Sequence, residues 1–314
     1  IASVSGRERE VGEFLHSLLG KTGWNCRKQE VEPSRFNVLA TRQNPAILLT
    51  THIDTVPPFF PSHEDQEFVY GRGACDAKGI AASMICAAEA LAKQGITDVG
   101  LLFVVGEEID GVGAKKAREL DLNCAFVVDG EPTDNQLAVA HKGYLSAKLS
   151  VQGVTCHSGY PELGKSAIEE LLNILNDLRG REFPSDATLG ETYLNIGAIR
   201  GGTAANVLAE NAEAQVSFRL VDRSHHYLKI LKEVVGKRGQ LRDVKMSEPQ
   251  TMEVVEGFPT KVVGYGSDVP FLRALGKPLL FGPGSIFEAH TADEKISKLD
   301  LSQGVMLYQR LVRI

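Results

Sequence analysis

The sequence predicts an α/β protein whose main sheet is mostly parallel and flanked by helices, with a smaller α+β layer inserted into it. Near-continuous apolar strand segments alternate with helical patterns in the first 145 residues, and the apolar texture returns from about residue 247. This alternation is typical of a parallel sheet covered on both faces. Between these parts the strands alternate polar with apolar residues, as half-exposed antiparallel strands do.

The elements of the first part follow one another along the chain. Apolar residues at helical spacing and a glycine stop predict a first helix over residues 7–20. The apolar strand candidates are residues 36–41, 45–53, 99–106 and 124–130. Helical patterns over 80–95 and 113–121 lie between these strands and predict the helices that cover the sheet.

The middle part predicts a layer of a different kind. Its alternating strands include 144–153 and 209–221, and its helices are predicted over 166–180 and 224–237. The order strand, helix, strand, strand, helix, strand is that of a split βαβ, or ferredoxin-like, layer. We therefore predict a first part over residues 1–145, an inserted layer over 146–246, and a second part over 247–314 that ends in a helix.

Composition excludes several classes of function. The 314 residues, with 43% hydrophobic and 24% charged, fit an ordinary globular protein of two domains. A net charge of -6 predicts no nucleic-acid or anionic membrane partner, since both require clustered Lys and Arg. The five scattered cysteines include no C-x-x-C pair, and the segment IASVSGRERE lacks the features of a signal peptide. These features predict a cytoplasmic location.

The segment LLTTHIDTVPPFF places His52 and Asp54 at the end of an apolar strand. Alternate side chains of a strand project to the same face, so these two groups can hydrogen-bond or share one site. Pro57 and Pro58 cannot donate to a sheet and predict that the strand ends in a loop. Taken alone, the His-x-Asp pair fits a structural histidine equally well.

Further acidic and histidine side chains follow other apolar segments, namely Asp76, Glu107, Glu108, Glu131 and His290. Because strands of an α/β sheet carry their sites at the carboxyl edge, we expect these groups to meet there. Such a cluster would repel itself unless cations neutralised it. Imidazoles and carboxylates without thiolates suit Zn²⁺, with Co²⁺ or Mn²⁺ as alternatives, and their number suits two divalent metal ions bridged by one carboxylate.

The motifs THIDTVP, GRGACDAKG, GEE, GEPT and AHTADE occur in this order. They resemble the motifs of the two-zinc amidohydrolase and metallopeptidase family of acetylornithine deacetylase, succinyl-diaminopimelate desuccinylase and carboxypeptidase G. The likeness spans nearly the whole chain. It implies a zinc-peptidase-like, metal-binding catalytic domain formed by residues 1–145 and 247–314. It also implies that the inserted layer is a lid or dimerisation domain through which a homodimer forms.

The resemblance implies a complete set of metal ligands. His52 and Glu131 would complete one metal site, Glu108 and His290 would complete the other, and Asp76 would bridge the two ions. The resemblance also implies a cis peptide bond directly after the bridging aspartate. Trans geometry there would count against the assignment.

The remaining roles near the metals are also implied by the resemblance. Glu107 would be the general acid/base that takes a proton from water and passes it to the leaving amine. Asp54 would accept the second ring N–H of His52 and fix its tautomer. Asp129 is an alternative to Glu131, because an aspartate sometimes takes that place in the family, although the wording GEPT favours Glu131.

Candidate substrate-binding residues lie outside the metal cluster. The resemblance implies that His157 reaches the site of a partner subunit and stabilises the oxyanion there. Asn206 and Arg219 resemble positions that hold the carboxylate and carbonyl of the substrate, and arginine offers the bidentate fork that a carboxylate requires. A salt bridge or a cap is the alternative role for these two residues.

Two further segments are candidates for contact with the substrate. The backbone N–H groups of residues 282–285, which include Gly284, form a candidate carboxylate site. Ser267 and Asp268 lie where the family contacts the side chain of the substrate, and a carboxylate there would favour a cationic or polar group.

A motif of another class occurs at GYPELGKS, residues 159–166, which satisfies the phosphate-loop pattern G-x-x-x-x-G-K-S. Pro161 lacks an N–H group and Glu162 would repel a triphosphate, so nucleotide binding is the remote alternative. A degenerate site that only binds a ligand is a third alternative. Nothing supports it, because all six site positions carry competent side chains.

The sequence thus predicts a metal-dependent amidohydrolase that cleaves the amide bond of a small N-acyl-amino acid or short peptide. The segments GPGSIFEAHTADE and GEPT are nearer to the acetylornithine deacetylase branch, which favours a deacylase. The alternatives are a succinyl-diaminopimelate desuccinylase-like activity and a carboxypeptidase or dipeptidase.

Overall fold

The computed structural model describes residues 1–314 and divides the chain into two compact units. The first unit comprises residues 1–139, 251–261 and 267–314, and the second comprises 140–250 and 262–266. All residues of the layer predicted over 146–246 lie in the second unit. No helix combines the length and the apolar character needed to cross a lipid bilayer.

Seven α-helices are formed: α1 (Arg9–Lys21), α2 (Lys78–Ala92), α3 (Val112–Ala117), α4 (Ala167–Arg179), α5 (Ser224–Val235), α6 (Val269–Leu272) and α7 (Lys298–Leu311). The strands of the first half are β1 (Asn25–Glu32), β2 (Arg35–Thr41), β3 (Ile47–His52), β4 (His63–Glu64), β5 (Phe68–Tyr70), β6 (Val99–Val104), β7 (Phe126–Asp129), β8 (Leu137–His141) and β9 (Gly143–Gln152). The remaining strands are β10 (Ser185–Asp186), β11 (Gly190–Glu191), β12 (Tyr193–Gly201), β13 (Asn211–Leu220), β14 (Gln240–Ser247), β15 (Gln250–Thr251), β16 (Thr260–Val263), β17 (Lys277–Leu280) and β18 (Lys295–Ser297).

The central sheet of the first unit has six strands in the order β1-β2-β6-β3-β7-β17. The last four run parallel to one another. Strand β2 pairs antiparallel with β6, and β1 pairs antiparallel with β2 at the edge of the sheet. Alternate residues of β3 enter different clusters, because Leu49 packs with α1, α2 and α7 whereas Leu48 packs with α3 and α6. The predicted parallel sheet covered on both faces is therefore confirmed.

The register of the parallel strands aligns their carboxyl ends. His52, the last residue of β3, is paired with Val104, the last residue of β6. Asp129, the last residue of β7, is paired with Thr50 of β3 and with Leu280 at the end of β17. The loops that follow these strands therefore all leave one edge of the sheet, where sites of α/β proteins form.

The second unit contains a four-stranded antiparallel sheet in the order β12-β13-β9-β14. Every second residue of β9 is buried, and these side chains pack with α4 and α5 in one hydrophobic cluster that includes Phe218 and Tyr227. The element order and strand order are those of the predicted ferredoxin-like layer. Elsewhere in the chain, smaller sheets are formed by β10-β11, by β15-β8-β16 and, within the first unit, by β18-β5-β4.

Gly79, in the first turn of α2, lies very close to the backbone of the preceding loop, and this packing can be tested. A Cβ atom at this residue would lie 2.2 Å from the carbonyl oxygen of Ala74, so the preceding loop would have to move. We expect Gly79→Ala to lower the free energy of unfolding of the metal-free protein by about 1–3 kcal/mol in urea denaturation. The control is Gly20→Ala in α1, where no atom lies within 4 Å of the added Cβ. This change should be neutral or stabilise by up to about 1 kcal/mol, and equal stabilities of the two variants would contradict the packing described.

Candidate active site

Two imidazoles face the two oxygens of one carboxylate at the carboxyl edge of the first unit's sheet. Asp76 Oδ1 lies 2.9 Å from His52 Nε2, and Asp76 Oδ2 lies 3.3 Å from His290 Nε2. His290 Nε2 also lies 3.0 Å from Glu108 Oε1. The peptide bond after Asp76 is cis, as predicted. A carboxylate placed between two imidazoles in this way has the arrangement required to bridge two cations.

The other predicted ligand atoms lie beside this pair. One ligand atom each from His52, Asp76 and Glu108 lies within 4.8 Å of the other two, and the same holds for His52, Glu107 and Glu131. Glu107 and Glu108 are adjacent in the sequence, yet they belong to different groups of neighbouring ligand atoms. This is expected if one is a metal ligand and the other is a free base. The structure brings all six predicted residues of the metal cluster together.

The cluster holds more negative charge than its imidazoles balance. Burial raises the pKa of Glu107 and Glu131 well above the ordinary value, and neighbouring carboxylates raise it further. Burial also opposes ionisation of Asp76, but its imidazole partners outweigh this effect and lower the pKa of Asp76. Hydrogen bonds to carboxylates raise the pKa of His290 to about 10. For His52, burial favours a lower pKa, yet the nearby carboxylates raise that pKa well above its ordinary value.

These donors fit divalent cations. Imidazole nitrogens and carboxylate oxygens suit Zn²⁺, Co²⁺ or Mn²⁺, and the excess of negative charge favours neutralisation by two dications. The thiol of Cys75, which precedes Asp76 in the sequence, donates instead to the backbone carbonyl oxygen of Ser285 at 3.3 Å.

Asp54 organises the loop that carries the two glutamates. Its Oδ1 accepts the N–H group of Glu107 at 3.1 Å, and its Oδ2 accepts the N–H group of Glu108 at 3.2 Å and the hydroxyl of Ser5 at 2.7 Å. We predicted that this carboxylate accepts the second ring N–H of His52, but the nearer acceptor is the backbone carbonyl oxygen of the same residue. His52 Nδ1 lies 3.0 Å from the backbone carbonyl oxygen of Asp54 but 3.6 Å from Oδ1, which is too long for a hydrogen bond.

The contact with the carbonyl oxygen still fixes the tautomer of His52. A carbonyl oxygen only accepts hydrogen bonds, so Nδ1 carries the proton of the neutral ring. In the metal-free protein Nε2 faces the ionised carboxylate of Asp76 and donates to it, in keeping with the raised pKa of His52. Because Nδ1 is held by the carbonyl oxygen, Nε2 is the nitrogen that would give up its proton to bind a metal ion.

Residues 3–8 support the site but were missed in the sequence. Backbone hydrogen bonds join this segment to Thr55, and Ser5 reaches Asp54 as described. Glu8 is buried and accepts two hydrogen bonds from the guanidinium of Arg35, at 2.7 and 2.9 Å. The segment SGRE before α1 is the only local sequence feature that could have indicated this role, and it equally fits the start of an ordinary helix.

Asp129, the alternative metal ligand, faces α6 instead. Its carboxylate accepts hydrogen bonds from the Ser267 side chain and from the backbone N–H groups of Asp268 and Val269. The geometry therefore favours Glu131. Asp268 is itself only 3% exposed, and burial together with Asp129 raises its pKa well above the ordinary value. A buried carboxyl group of this kind disfavours the predicted contact with a cationic substrate group.

The glycine loop before His290 is closely packed. Gly284 is buried with φ of 84°, and a Cβ atom there would lie 2.7 Å from Cys75 Sγ. The N–H group of Gly282 donates to Thr133 Oγ1 at 2.9 Å, so it is engaged within the protein. The carboxylate site predicted at this loop stays a prediction.

The predicted catalytic residue His157 and the predicted substrate-binding residues Asn206 and Arg219 lie in the second unit, and all are exposed. His157 Nδ1 accepts the N–H group of Gly159 at 3.1 Å. The N–H group of Ser158 donates to the backbone carbonyl oxygen of Asn206 at 2.9 Å, so the segments of His157 and Asn206 are neighbours. The guanidinium of Arg219 lies 5.2 Å from the centre of the Tyr144 ring. The roles implied for these residues stay predictions.

The phosphate-loop motif does not present its backbone to a ligand. Within it, the N–H groups of Leu163, Gly164 and Lys165 donate to backbone carbonyl oxygens of the protein. Ser166 caps α4 by accepting the N–H group of Glu169 at 3.3 Å. These contacts disfavour nucleotide binding at residues 159–166.

Comparison with curated proteins identifies relatives of nearly full length. The chain is 39% identical over 326 residues to a peptidase M20 domain-containing protein of Schizosaccharomyces pombe, covering 99% of this chain and 81% of that protein. It is 37% identical over 363 residues to a probable carboxypeptidase of Aspergillus flavus, covering 99% of this chain and 87% of that protein. Residues 139–239 match the model of the M20 peptidase dimerisation domain.

Solved structures share the fold over the whole chain. A tripeptidase of Staphylococcus aureus has a TM-score of 0.80 at 21% identity, covering 100% of this chain and 95% of that one. An M20 family metallo-carboxypeptidase of Sulfolobus solfataricus has a TM-score of 0.79 at 16% identity, covering 99% and 96%. A dinuclear metal-binding M20 peptidase of Bacillus subtilis has a TM-score of 0.66 at 15% identity, covering 99% and 93%. These structures share the fold, and the 39% identity to the curated M20 relative over nearly the whole chain shows that the chain belongs to the M20 family of peptidases.

Proposed function

We propose that the protein hydrolyses the peptide bond next to a free terminal carboxylate in short peptides, as a two-metal carboxypeptidase or dipeptidase. The observation that carries this proposal is the cluster in which the two oxygens of Asp76 face the imidazoles of His52 and His290. The names of the relatives support a peptide substrate, since the curated Aspergillus flavus protein is a probable carboxypeptidase.

The proposed metal site uses five side chains. His52 and Glu131 would hold one ion, Glu108 and His290 would hold the other, and Asp76 would bind both. Zinc is the proposed metal, with cobalt or manganese as alternatives, because the donors are imidazoles and carboxylates. When bound, such ions polarise the substrate carbonyl and lower the pKa of a bound water to about 7.

Glu107 is the proposed general acid/base. It lies in the cluster beside His52 and Glu131, while its backbone is held by the carboxylate of Asp54. Burial raises the pKa of Glu107, which favours uptake of a proton from the attacking water. The resulting acid would then deliver that proton to the leaving amine.

Substrate recognition and assembly are proposed from the resemblance. Arg219, Asn206 and the loop of Gly284 would bind the carboxylate and carbonyl of the substrate. His157 would stabilise the oxyanion in the site of a second subunit. The match of residues 139–239 to a dimerisation domain supports a homodimer formed through the second unit.

Deacylation of a small N-acyl-amino acid is the second candidate function. The motifs GEPT and GPGSIFEAHTADE favour it, as described above. Both substrate classes present an amide whose nitrogen is attached to a carbon bearing a free carboxylate, so the same metal cluster and the same Glu107 would serve either reaction. The substrate panel below separates the two candidates.

Glu107→Gln tests the proposed base. We expect the variant to bind metal as the unsubstituted protein does, because Glu107 is not a proposed ligand, and to lose about 10²–10⁴ in kcat. Metal content and steady-state kinetics would be measured on the same preparation. The control is Glu119→Gln, an exposed glutamate of the same unit, which should retain full activity. Substantial turnover by metal-loaded Glu107→Gln would disprove the assigned role.

Glu131→Gln should stabilise the metal-free protein while weakening metal binding. Burial raises the pKa of Glu131, so its ionisation destabilises the folded state once the pH exceeds the ordinary pKa of about 4.3. We expect a higher Tm than that of the unsubstituted protein at pH 7, by about 2–4 °C for each kcal/mol relieved, and equal Tm values near pH 4. Calorimetry of the chelator-treated proteins measures this. A lower Tm at pH 7 would argue that the carboxylate is compensated within the protein.

A panel of substrates tests the proposed reaction. It contains dipeptides and tripeptides, the same peptides with an amidated terminal carboxylate, N-acetylated peptides, and acetyl-ornithine, acetyl-citrulline and succinyl-diaminopimelate, each with Zn²⁺, Co²⁺ or Mn²⁺. We expect metal-dependent cleavage of free peptides that is lost on amidation, because recognition requires the terminal carboxylate. Cleavage of the acylated amino acids alone would select deacylation. Cleavage of amidated peptides that is blocked by N-acetylation would overturn both candidates.

A further inference from the structure

A fully buried glutamate, Glu294, gathers the backbone of a neighbouring loop. Its Oε1 accepts the N–H groups of Gly73, Cys75 and Asp76, each at 3.0 Å. Its Oε2 accepts Arg72 Nη1 at 2.7 Å. Backbone N–H groups that converge in this way form an anion-binding nest, and hydrogen bonds to an ionised group are roughly twice as strong as neutral ones.

The loop held by Glu294 has no other regular support. Residues 71–77 form neither helix nor strand, so their N–H groups lack the partners that secondary structure provides. Buried N–H groups must nevertheless be paired. Glu294 supplies one acceptor for three of them, and its backbone carbonyl oxygen accepts a fourth, that of Gly71 at 2.9 Å. The conformation of this loop therefore depends on a residue more than 200 positions away.

Arg72, which donates to the other carboxylate oxygen of Glu294, is itself held in place. Its side chain is buried, its Nε donates to the backbone carbonyl oxygen of Pro58 at 3.2 Å, and its guanidinium lies 5.0 Å from the centre of the Phe60 ring. Both members of the Arg72–Glu294 ion pair therefore make further contacts, Arg72 with Pro58 and Phe60 and Glu294 with the three backbone N–H groups. Removal of the Glu294 carboxylate would leave a buried cation and three N–H groups without their acceptor, which is strongly unfavourable.

We propose that Glu294 is a positioning residue for the metal site. It is four residues beyond His290, and it binds the N–H group of Asp76, so one side chain joins the loops that carry two of the proposed ligands. This contact sets the separation at which Asp76 Oδ2 lies 3.3 Å from His290 Nε2. The inference rests on the proposed function, in which Asp76 and His290 are ligands.

The test compares Glu294→Gln and Glu294→Ala with the unsubstituted protein. In the metal-free proteins, hydrogen exchange at the amides of Gly73, Cys75 and Asp76 should accelerate at least tenfold in Glu294→Ala. In competition with a chromogenic chelator, the affinity for Zn²⁺ alone should fall by about 10- to 100-fold in Glu294→Ala, the range typical for residues that support ligands. Glu294→Gln keeps an acceptor oxygen for the amides, so it should recover part of both losses.

A matched control separates positioning from general stability. Glu89→Gln removes the charge of a partly buried glutamate of the same unit that pairs with Arg42 at 3.3 Å and accepts Trp24 Nε1 at 2.6 Å. It should lower the Tm but leave zinc affinity and the three amide exchange rates within about twofold. Folded Glu294→Ala with unchanged exchange and unchanged zinc affinity would overturn the proposal.

Further outcomes are also decisive. If Glu294→Ala does not fold, Glu294→Gln carries the test, because its neutral amide oxygen weakens the hydrogen bonds from the three N–H groups. Folded Glu294→Gln with unchanged exchange at these amides and unchanged zinc affinity would then overturn the proposal. Absence of zinc binding by the unsubstituted protein would overturn the proposed function. In that case the amide exchange in metal-free Glu294→Ala still decides whether Glu294 holds the loop.

Discussion

Repulsion among buried carboxyl groups is the constraint on which the rest of the site depends. Glu107 and Glu131 lie at one edge of the sheet, where burial raises the pKa of both. The two imidazoles supply at most two positive charges, and both are already engaged with Asp76. The ionised cluster therefore requires further cations to be stable. A fold that keeps such a cluster sacrifices stability in its metal-free state, as functional sites commonly do.

The buried acidic groups of the first unit fall into two classes. Asp54 and Glu294 are surrounded by hydrogen-bond donors, and each binds the backbone of a loop that carries proposed ligands. Glu107 and Glu131 instead face other carboxyl groups and the imidazole of His52. The first class fixes backbone, and the second contains the proposed ligand Glu131 and the proposed base Glu107. The division follows from which donors each carboxylate meets, because the side chains themselves are chemically alike.

The sequence predicted what depends on local pattern. Apolar strands ending in charged residues led to the cluster, and polar-apolar alternation led to the ferredoxin-like layer. Strand β1 was missed because its sequence NCRKQEVE is mostly polar, as the exposed pattern of an edge strand requires. Ser5 and Glu294 were missed because their partners lie 49 and about 220 positions away, and no local pattern marks a buried hydrogen bond. His52 contacts the backbone carbonyl oxygen of Asp54 and not its carboxylate because of the local backbone geometry. The two-residue spacing of His52 and Asp54 in the sequence does not predict that geometry.

The metal cluster by itself does not distinguish a peptide from an N-acyl-amino acid. Both substrates contain the same amide beside the same carboxylate, so the reacting atoms would make the same contacts with Glu107 and the metal ligands. Discrimination must come from groups that contact the rest of the substrate. The chain carries three of its proposed recognition residues, His157, Asn206 and Arg219, in the second unit, whereas every proposed ligand lies in the first. In the proposed scheme, substitutions at Asn206 or Arg219 would therefore alter the choice of substrate without changing the charge balance of the metal cluster.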